Sequence, residues 1–510
     1  MMDFSQRIAS LSPEKRALLE RRLTQKNGPP AKELPISLRA QRDLAPLSFA
    51  QQRLWFLDQL EPGSTTYNVS NAVRLKGPLN IDALNQTMTE IVRRHEILRT
   101  VFRTSDGAPV QVILPAEPQS LTIVDLEELP ESKREAEAQR LIAEGDQIPF
   151  DLANGPLLRA RLLRLSKDEH IVALALHHII SDAWSLGILI REVAVLYEAF
   201  SLGRPSPLAE LPIQYGDYAN WQREWLQGNV LETQMAYWRR QLADAPAALD
   251  LPTDWQRPAV QTFNGAHCPF RPPRDLAEAL KELSRQEGVT LFMTVLTAFK
   301  TLLHRYTGQS EICIGSPIAN RGRVETEGVI GFFLNTLVLR SDFSDNPTFR
   351  ELLSRVKEIA LEAYANQDVP FERLVEELQV ERDLSRQPLF QVMFTMQTAS
   401  STTFELSGLH VSTFDIEGTS AKFDLTVNLE EGSEEISGVL EYNTDLFERE
   451  TIERLATHFE QLLWSIVSNP EQRVSELALL AERERRQLLQ EWNETRAEYP
   501  AAQCLHQLFV

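Results

Sequence analysis

Residues 171–185 form the run IVALALHHIISDAWS, in which an apolar segment leads into two histidines. The apolar segment is typical of a buried strand, and an amphipathic helical pattern begins a few residues after the histidines. Ser181 or Asp182 is suited to cap the free N–H groups at the start of that helix. Together with the strand and helix patterns elsewhere in the chain, this order predicts an α/β (mixed α+β) protein.

The two histidines cannot have the same role if the strand continues through them. Alternate side chains of a strand point to opposite faces, so His178 would share a face with Leu174 and Leu176, while His177 would face the other way. The pattern therefore predicts one catalytic and one structural histidine. A histidine is suited to manage protons on an amine near neutral pH because its pKa lies in that range.

Other interpretations of this segment remain open on the residues alone. The histidines and Asp182 could bind a metal, but no further His or Cys cluster stands nearby to complete a site. Asp182 could equally be an N-cap or one half of a structural ion pair. Because the chain has no nucleophile elbow, P-loop or dinucleotide fingerprint, any acyl transfer would be direct, from a preactivated acyl group to an acceptor.

Composition narrows the class of protein and the partners. The 510 residues are 43% hydrophobic and 24% charged, and 52 basic against 72 acidic residues give a formal charge of −20. That excess argues against nucleic-acid and anionic-membrane surfaces. Cys268, Cys313 and Cys504 show no paired spacing, and no apolar run approaches the roughly 18 residues needed to span a bilayer. The sequence favours a cytoplasmic protein without a bound cofactor or metal.

The length predicts two packed units with tails. A short helix beginning at Ser12 and a linker occupy residues 1–43, followed by units at 44–225 and 226–475 and a tail at 476–510. Pro-rich stretches near 204–212 and 252–273 are candidate boundaries. Helical periodicity marks residues 83–94, 132–144, 185–200, 275–287, 291–305, 348–365 and 449–467. Strand-like runs occupy residues 110–114, 158–165, 171–176, 311–315, 334–339 and 389–395.

Seven ordered blocks resemble the motifs of the condensation domains of non-ribosomal peptide synthetases. The histidine run resembles the family's His-His-x-x-x-Asp-Gly motif. The other six blocks are residues 47–57 (LSFAQQRLWFL), 94–102 (RHEILRTVF), 215–221 (YGDYANW), 330–340 (IGFFLNTLVLR), 366–372 (NQDVPFE) and 382–391 (RDLSRQPLFQ). Residues 488–495 (LLQEWNET), Tyr499-Pro500 and 505–509 (LHQLF) resemble the linker into an adenylation domain and its first residues.

The resemblance implies a fold, a reaction and its partners. The family fold is a V-shaped pseudo-dimer of two chloramphenicol-acetyltransferase-like subdomains with a tunnel between them. Upstream donor and downstream acceptor carrier proteins insert phosphopantetheine arms, and the acceptor amine attacks the donor thioester. His178 matches the catalytic histidine, as general base or amine-positioning group, and His177 matches the structural one. Asp182 matches a buried ion-pair partner, for which Arg321 is the expected counterpart.

The remaining expectations concern substrate contacts and subtype. The family's motif glycine is Ala183 here, either accommodated in a helix or narrowing the acceptor side. Ala183, Trp184, Ser185 and Asn335 are candidates to line the substrate space. The aromatic residues of the blocks are expected in the core: Trp55, Trp221, Phe332, Phe333 and Phe390. The subtype expected is one joining an L-donor to an L-acceptor; a starter, dehydrating, epimerase or inactive-platform variant is the alternative.

Overall fold

A computed structural model describes residues 35–379, 383–398, 406, 408–414 and 420–495 of the chain. The predicted helix beginning at Ser12, the first residue of block 382–391 and the adenylation-like residues 499–509 lie outside the described residues. In the described part of the chain, no helix is both long and apolar enough to cross a membrane.

The first half of the chain mixes strands and helices. Its elements in order are β1 (Leu44–Pro46), α1 (Phe49–Leu60), β2 (Asn68–Lys76), α2 (Ile81–Arg94), β3 (Thr100–Ser105), β4 (Ala108–Ile113), β5 (Thr122–Asp125), α3 (Glu131–Asp146), β6 (Leu158–Ser166), β7 (Glu169–His177), α4 (Ala183–Ser201) and α5 (Tyr215–Trp225). Asn80 caps α2, and the apolar face of that helix packs against α4.

The second half follows the same plan. Its elements are α6 (Gly228–Gln241), β8 (Gly265–Phe270), α7 (Arg274–Glu287), α8 (Leu291–Thr307), β9 (Glu311–Ile318), β10 (Asn335–Asp342), α9 (Phe349–Ala365), α10 (Phe371–Glu377), β11 (Val392–Thr398), β12 (His410–Thr413), β13 (Leu425–Glu431), β14 (Ile436–Asn443), α11 (Arg449–Ser468) and α12 (Glu482–Leu489). One large apolar core holds this half together, with Phe299, Phe394 and Phe459 near its centre.

Two large sheets form the centres of the two halves. The five-stranded sheet has the order β12-β2-β7-β6-β5, and the six-stranded sheet has the order β10-β9-β11-β13-β14-β8. A small sheet, β1-β4-β3, flanks the first of them. The Pro-rich stretch 252–273, predicted as a boundary, instead contains strand β8. Pro269 is tolerated there because β8 is the edge strand of its sheet.

The halves exchange segments, so the division at residue 225 is not a simple one. Strand β12 belongs to the second half in sequence but pairs with β2 of the first half, with His410 opposite Lys76 and Thr413 opposite Val73. Residues 329–333 also belong to the second half in sequence, but they pack into the apolar core of the first half. The result is the predicted mixed α/β fold of two acetyltransferase-like lobes.

Candidate active site

The histidine segment turns from strand to helix within a few residues. Strand β7 ends at His177, and His178 begins a 3-10 turn that closes at Ile180. The condition that the strand continues through both histidines is not met, because the extended backbone stops before His178. Asp182 caps helix α4 by accepting a hydrogen bond from the N–H of Ser185 at 2.8 Å.

The half-buried side chain of His178 is held in one orientation. Its Nδ1 donates to the carbonyl oxygen of Ser181 at 2.7 Å, and its backbone N–H donates to the carbonyl of Tyr67 at 2.8 Å. The ring of Phe332 stands edge-on to the imidazole, with 4.8 Å between centroids. Because Nδ1 carries the proton, the lone pair is on Nε2. Burial and the positive charge of Lys422 lower the pKa of His178 to about 4, so the imidazole is neutral at pH 7.

The surroundings of His177 differ. Its Nδ1 accepts a hydrogen bond from the N–H of Ile179 at 3.1 Å, which fixes the turn from inside. The imidazole is buried between the rings of Tyr67 and Phe150, at centroid distances of 6.5 and 6.1 Å. Burial lowers its pKa to about 3. These contacts give His177 the surroundings of a structural residue.

Asp182 and Arg321 form a buried ion pair between the halves. Nη2 of Arg321 lies 3.2 Å from Oδ1 of Asp182, and both side chains are almost fully buried. Oδ2 of Asp182 accepts from the N–H of Phe333 at 3.0 Å. Nη1 of Arg321 donates to the carbonyls of Thr326 and Val329, each at 2.6 Å. The pair therefore holds residues 321–333 of the second half against the histidine turn.

The prediction that Ser185 lines the substrate space is not supported. Its side chain is fully buried, and its single hydroxyl proton can be donated either to Oδ1 of Asp182 at 2.7 Å or to the carbonyl oxygen of Gly331 at 2.8 Å. The same hydroxyl accepts from the N–H of Gly331 and from Arg321. A Cβ at residue 331 would lie 1.9 Å from the ring of Tyr215, so only glycine permits this close approach. Ser185 is a structural residue because residues 329–333 cover its side chain.

Asn335 is also a structural residue. Its Nδ2 donates to the carbonyls of Gln367 and Val369, each at 2.8 Å, and its Oδ1 accepts from the N–H groups of Thr336 and Phe371. The prediction that it faces the tunnel is not supported, because a buried polar side chain on an apolar strand is satisfied here by neighbouring backbone.

Two other substrate candidates lie at the start of α4. Ala183 is the first helical residue and is exposed, which agrees with the interpretation that alanine is accommodated there. Trp184 is half-buried, and its Nε1 donates to the carbonyl of Glu327 in the second half. Of the aromatic residues expected in the core, Trp55 is only partly buried. The others are buried: Trp221, Phe332, Phe333 and Phe390.

Half-buried polar side chains from both halves meet around Tyr67, whose carbonyl accepts the backbone N–H of His178, and we call their meeting place the interlobe cleft. From the first half come Arg53 and Tyr67, and from the second come Glu372 and Lys422. None of the four was predicted as a site residue, although Arg53 lies in the block 47–57 and Glu372 in the block 366–372. Tyr67 and Lys422 lie outside the seven blocks, and no sequence pattern distinguished them. Among the described residues, no group of three or more His, Cys, Asp or Glu is placed to hold a metal ion.

The two lobes meet at the histidine turn, where the Asp182–Arg321 pair joins them. The sequence profile of the condensation domain family matches residues 41–489. The chain therefore belongs to the condensation domain family of non-ribosomal peptide synthetases, whose members are acyltransferases.

Related proteins are synthetases far longer than this chain. A linear gramicidin synthase protein of Brevibacillus parabrevis is 51% identical over 464 residues, which cover 91% of this chain and 6% of that protein. Phosphinothricin tripeptide synthetase PhsC of Streptomyces viridochromogenes is 44% identical over 491 residues, covering 96% of this chain and 45% of that protein.

Solved structures share the fold. The X-domain from teicoplanin biosynthesis superposes with a TM-score of 0.80 at 30% identity, covering 88% of this chain and 100% of that one. The first condensation domain of the CDA synthetase gives a TM-score of 0.69 at 21% identity and covers 86% of this chain and 99% of that one. At that identity, the second match supports the fold alone.

Proposed function

We propose that this chain joins a donor acyl or peptidyl thioester to the amine of an acceptor aminoacyl thioester, both carried on phosphopantetheine arms of carrier proteins. The observation that carries the proposal is the fixed orientation of the His178 imidazole. With Nδ1 committed to Ser181, its Nε2 lone pair remains available as a proton acceptor.

The chemistry needs few groups from the protein. A thioester is already activated, so no nucleophilic side chain is required. Holding two tethered reactants in contact supplies much of the rate, because well-oriented intramolecular reactions save roughly 7–11 kcal/mol. His178 accepts a proton from the attacking nitrogen, which contributes on the order of 10²–10⁴-fold. The Asp182–Arg321 pair does not move protons; it fixes the shape of the turn that presents His178.

The finer assignments belong to the same proposal. We infer an L-donor and L-acceptor subtype, an upstream donor carrier, a downstream acceptor carrier and a following adenylation domain, because the chain resembles parts of peptide synthetases. The phosphopantetheine belongs to the carriers, and the domain itself needs no bound cofactor or metal. The boundaries at residues 43, 225 and 475 and a cytoplasmic location are part of this proposal. The two buried cysteines, Cys268 and Cys313, are free thiols, which fits a reducing compartment.

The experiment is a condensation assay with loaded carriers. Donor carriers bearing N-acetyl-leucyl thioesters are mixed with acceptor carriers bearing a panel of L-aminoacyl thioesters, and intact-protein mass spectrometry detects the dipeptide on the acceptor. We expect product with the parent chain and about 10²-fold less with His178→Gln. A fatty acyl donor accepted in place of an aminoacyl donor would identify the starter subtype, and loss of water from a tethered serine would identify the dehydrating one.

A second candidate follows from one comparison. A solved complex of the teicoplanin X-domain with OxyB resembles this chain with a TM-score of 0.80 at 29% identity. A chain that binds a tailoring enzyme and forms no amide with any loaded carrier would be a recruiting platform. His178 and its hydrogen bonds argue for the enzyme, because a platform has no need for an oriented basic nitrogen.

A further inference from the structure

Lys422 brings an ammonium group to the interlobe cleft from the second half. It lies just before strand β13, where its carbonyl accepts a hydrogen bond from Nε2 of Gln261 at 3.1 Å. Its Nζ stands 5.4 Å from the centroid of the Tyr67 ring, which belongs to the first half. Its side chain is half-buried and forms no ion pair within 4 Å with any residue in the described ranges.

Tyr67 connects this ammonium to the histidine turn. Its carbonyl accepts the backbone N–H of His178 at 2.8 Å, and its ring contacts both Lys422 and the imidazole of His177. The positive charge of Lys422 lowers the pKa of both histidines. Lys422 and His178 therefore stand in one cleft, on different halves of the molecule, with Tyr67 contacting both.

Among the described residues no carboxylate forms an ion pair with Lys422; burial lowers its pKa, Glu441 and Asp146 raise it without direct contact, and Arg53 lowers it further. Glu441 on β14 lies 3.6 Å from His267, and Asp146 at the end of α3 accepts from Ser70 at 2.6 Å. Arg53 on α1 is a second cation and is paired with Glu372. Asp182, the acidic residue close to His178, already forms an ion pair with Arg321. An ammonium without its own carboxylate in a half-buried site is costly unless a ligand brings negative charge to it.

We propose, resting on the amide-forming function above, that Lys422 is a further catalytic residue that donates a hydrogen bond to the carbonyl oxygen of the donor thioester. When the acceptor nitrogen forms the C–N bond, the carbonyl π electrons move to that oxygen, and the ammonium stabilises the resulting negative charge. His178 accepts the proton from the nitrogen. As the C=O bond re-forms, the C–S bond breaks and the leaving sulfur of the donor arm takes that proton.

This assignment gives the two halves complementary parts in the reaction. The first half supplies the proton acceptor, and the second half supplies the cation for the developing oxyanion. A preorganised donor is most effective in such a partly desolvated site, where removal of one oxyanion donor costs on the order of 10²–10³ in kcat. Burial lowers the pKa of Lys422, which makes its N–H groups stronger hydrogen-bond donors while it remains charged.

The test uses the full chain with Lys422→Met, which keeps the length of the side chain and removes its charge, and with Lys422→Arg, which keeps the charge. Lys76→Met is the matched control, because Lys76 is an exposed lysine at the far end of β2. Condensation is measured with N-acetyl-leucyl and L-aminoacyl carriers. Separately, the protonation midpoint of His178 is followed by NMR of protein labelled in histidine with nitrogen-15, with His178→Gln identifying the signal.

We expect Lys422→Met to lower kcat by about 10²-fold, Lys422→Arg to restore most of it and Lys76→Met to leave it unchanged. The His178 midpoint should rise by roughly half a pH unit or more in Lys422→Met alone. A Lys422→Met protein that condenses at the parent rate overturns the assignment while leaving the proposed function intact. If the parent protein forms no amide, the proposed function fails. In that case the NMR titration still tests Lys422: an unchanged protonation midpoint of His178 in Lys422→Met would overturn its role as well.

Discussion

The two neighbouring imidazoles have opposite tautomers because their Nδ1 atoms meet different partners. A carbonyl oxygen can only accept, so Ser181 requires the proton on Nδ1 of His178. An N–H group can only donate, so Ile179 requires a lone pair on Nδ1 of His177. The basic Nε2 atom therefore belongs to His178 alone. This distinction arises from the 3-10 turn and not from the alternation of a strand.

The low pKa of His178 predicts a pH dependence of stability. The folded protein resists protonation down to about pH 4, while the unfolded chain binds that proton below about 6.5. The contribution of the neutral imidazole is thus complete above pH 6.5 and is lost as the pH falls towards 4. When the pH is lowered from 7.5 to 5.0, the unfolding free energy of the parent should fall by roughly 1–2 kcal/mol more than that of His178→Gln. Urea denaturation at the two pH values measures both changes.

His177 is present in both proteins, and its pKa of about 3 lies below the pH range compared, so its contribution is nearly the same in both. Equal losses in the parent and in His178→Gln would mean that the His178 imidazole is protonated equally well in the folded chain. That outcome would remove the argument that it is held neutral.

A second residue-scale prediction concerns Asp182. Asp182→Ala leaves the buried guanidinium of Arg321 without its carboxylate, so we expect a loss of about 3–5 kcal/mol in unfolding free energy together with lower activity. Asp345→Ala is the matched control, because Asp345 and Arg355 form an ion pair whose side chains are 54% and 41% exposed. That control should cost at most about 1 kcal/mol. Full stability with lost activity in Asp182→Ala would indicate a direct chemical role for the carboxylate.

Ala183 supplies the third prediction. It is exposed in the first turn of α4, so Ala183→Gly should cost at most about 1 kcal/mol, the usual helix penalty for glycine. Turnover of the preferred acceptor should stay within a few-fold in the carrier assay. A large gain with bulky acceptors would contradict this and would show that the methyl group narrows the acceptor side.

At the scale of elements, the sequence predicts helices and strands that have a local pattern, and it misses pairings between segments that are distant in sequence. Within the described residues, the predicted helices and strand-like runs each coincide with an observed element, because each carries its own pattern, but β2, β13 and β14 were not predicted. Strand β12 was missed because its four residues, His410–Thr413, have no pattern that distinguishes them from a loop. Their pairing with β2 joins residues more than 300 positions apart. Asn335 and Ser185 were misplaced for a similar reason, since the segments that cover them are distant in sequence.

The crossover at β12 leads to a prediction about Phe414. Its backbone N–H donates to the carbonyl of Ala72, and its ring is buried in a cluster with Leu126, Leu163 and Ile171 of the first half. Phe414→Ala should lower the unfolding free energy by about 3–5 kcal/mol, because the cavity lies in a core that cannot fully collapse.

Urea denaturation followed by circular dichroism measures this loss. Ile123→Ala is the matched control, because Ile123 lies on β5 of the same sheet but is 43% exposed. The control should cost well under half as much. Similar small losses in both variants would mean that the crossover segment adds little to the stability of the first half.

For the whole molecule, the exchanged segments join the two lobes around the candidate site. The first half contributes His178, Asp182 and Tyr67, and the second contributes Arg321, Phe332 and Lys422. Trp184 also donates across the boundary to Glu327. Because no half contains the complete site, its geometry depends on how the lobes are held together, and the seven motif blocks are spread over both of them.

This arrangement predicts that the lobes unfold as one cooperative unit. Phe459 is fully buried in the core of the second half, where its ring contacts Phe270 and Phe299, and Phe459→Ala should cost about 3–5 kcal/mol. If residues 329–333 and β12 couple the lobes, the most protected amides of β7 and of β13 should both lose that same free energy. Hydrogen exchange followed by mass spectrometry measures the two strands separately in one sample.

The exposed Leu361 on α9 of the same half provides the control, and Leu361→Ala should leave both strands within about 0.5 kcal/mol of the parent. If Phe459→Ala weakened β13 while β7 kept its full protection, the lobes would be independent folding units. The exchanged segments would then contribute to the geometry of the cleft without contributing to its stability. A common loss in both strands would instead mean that the two lobes unfold together. Substitutions in either core, far from His178, would then also destabilise the histidine turn.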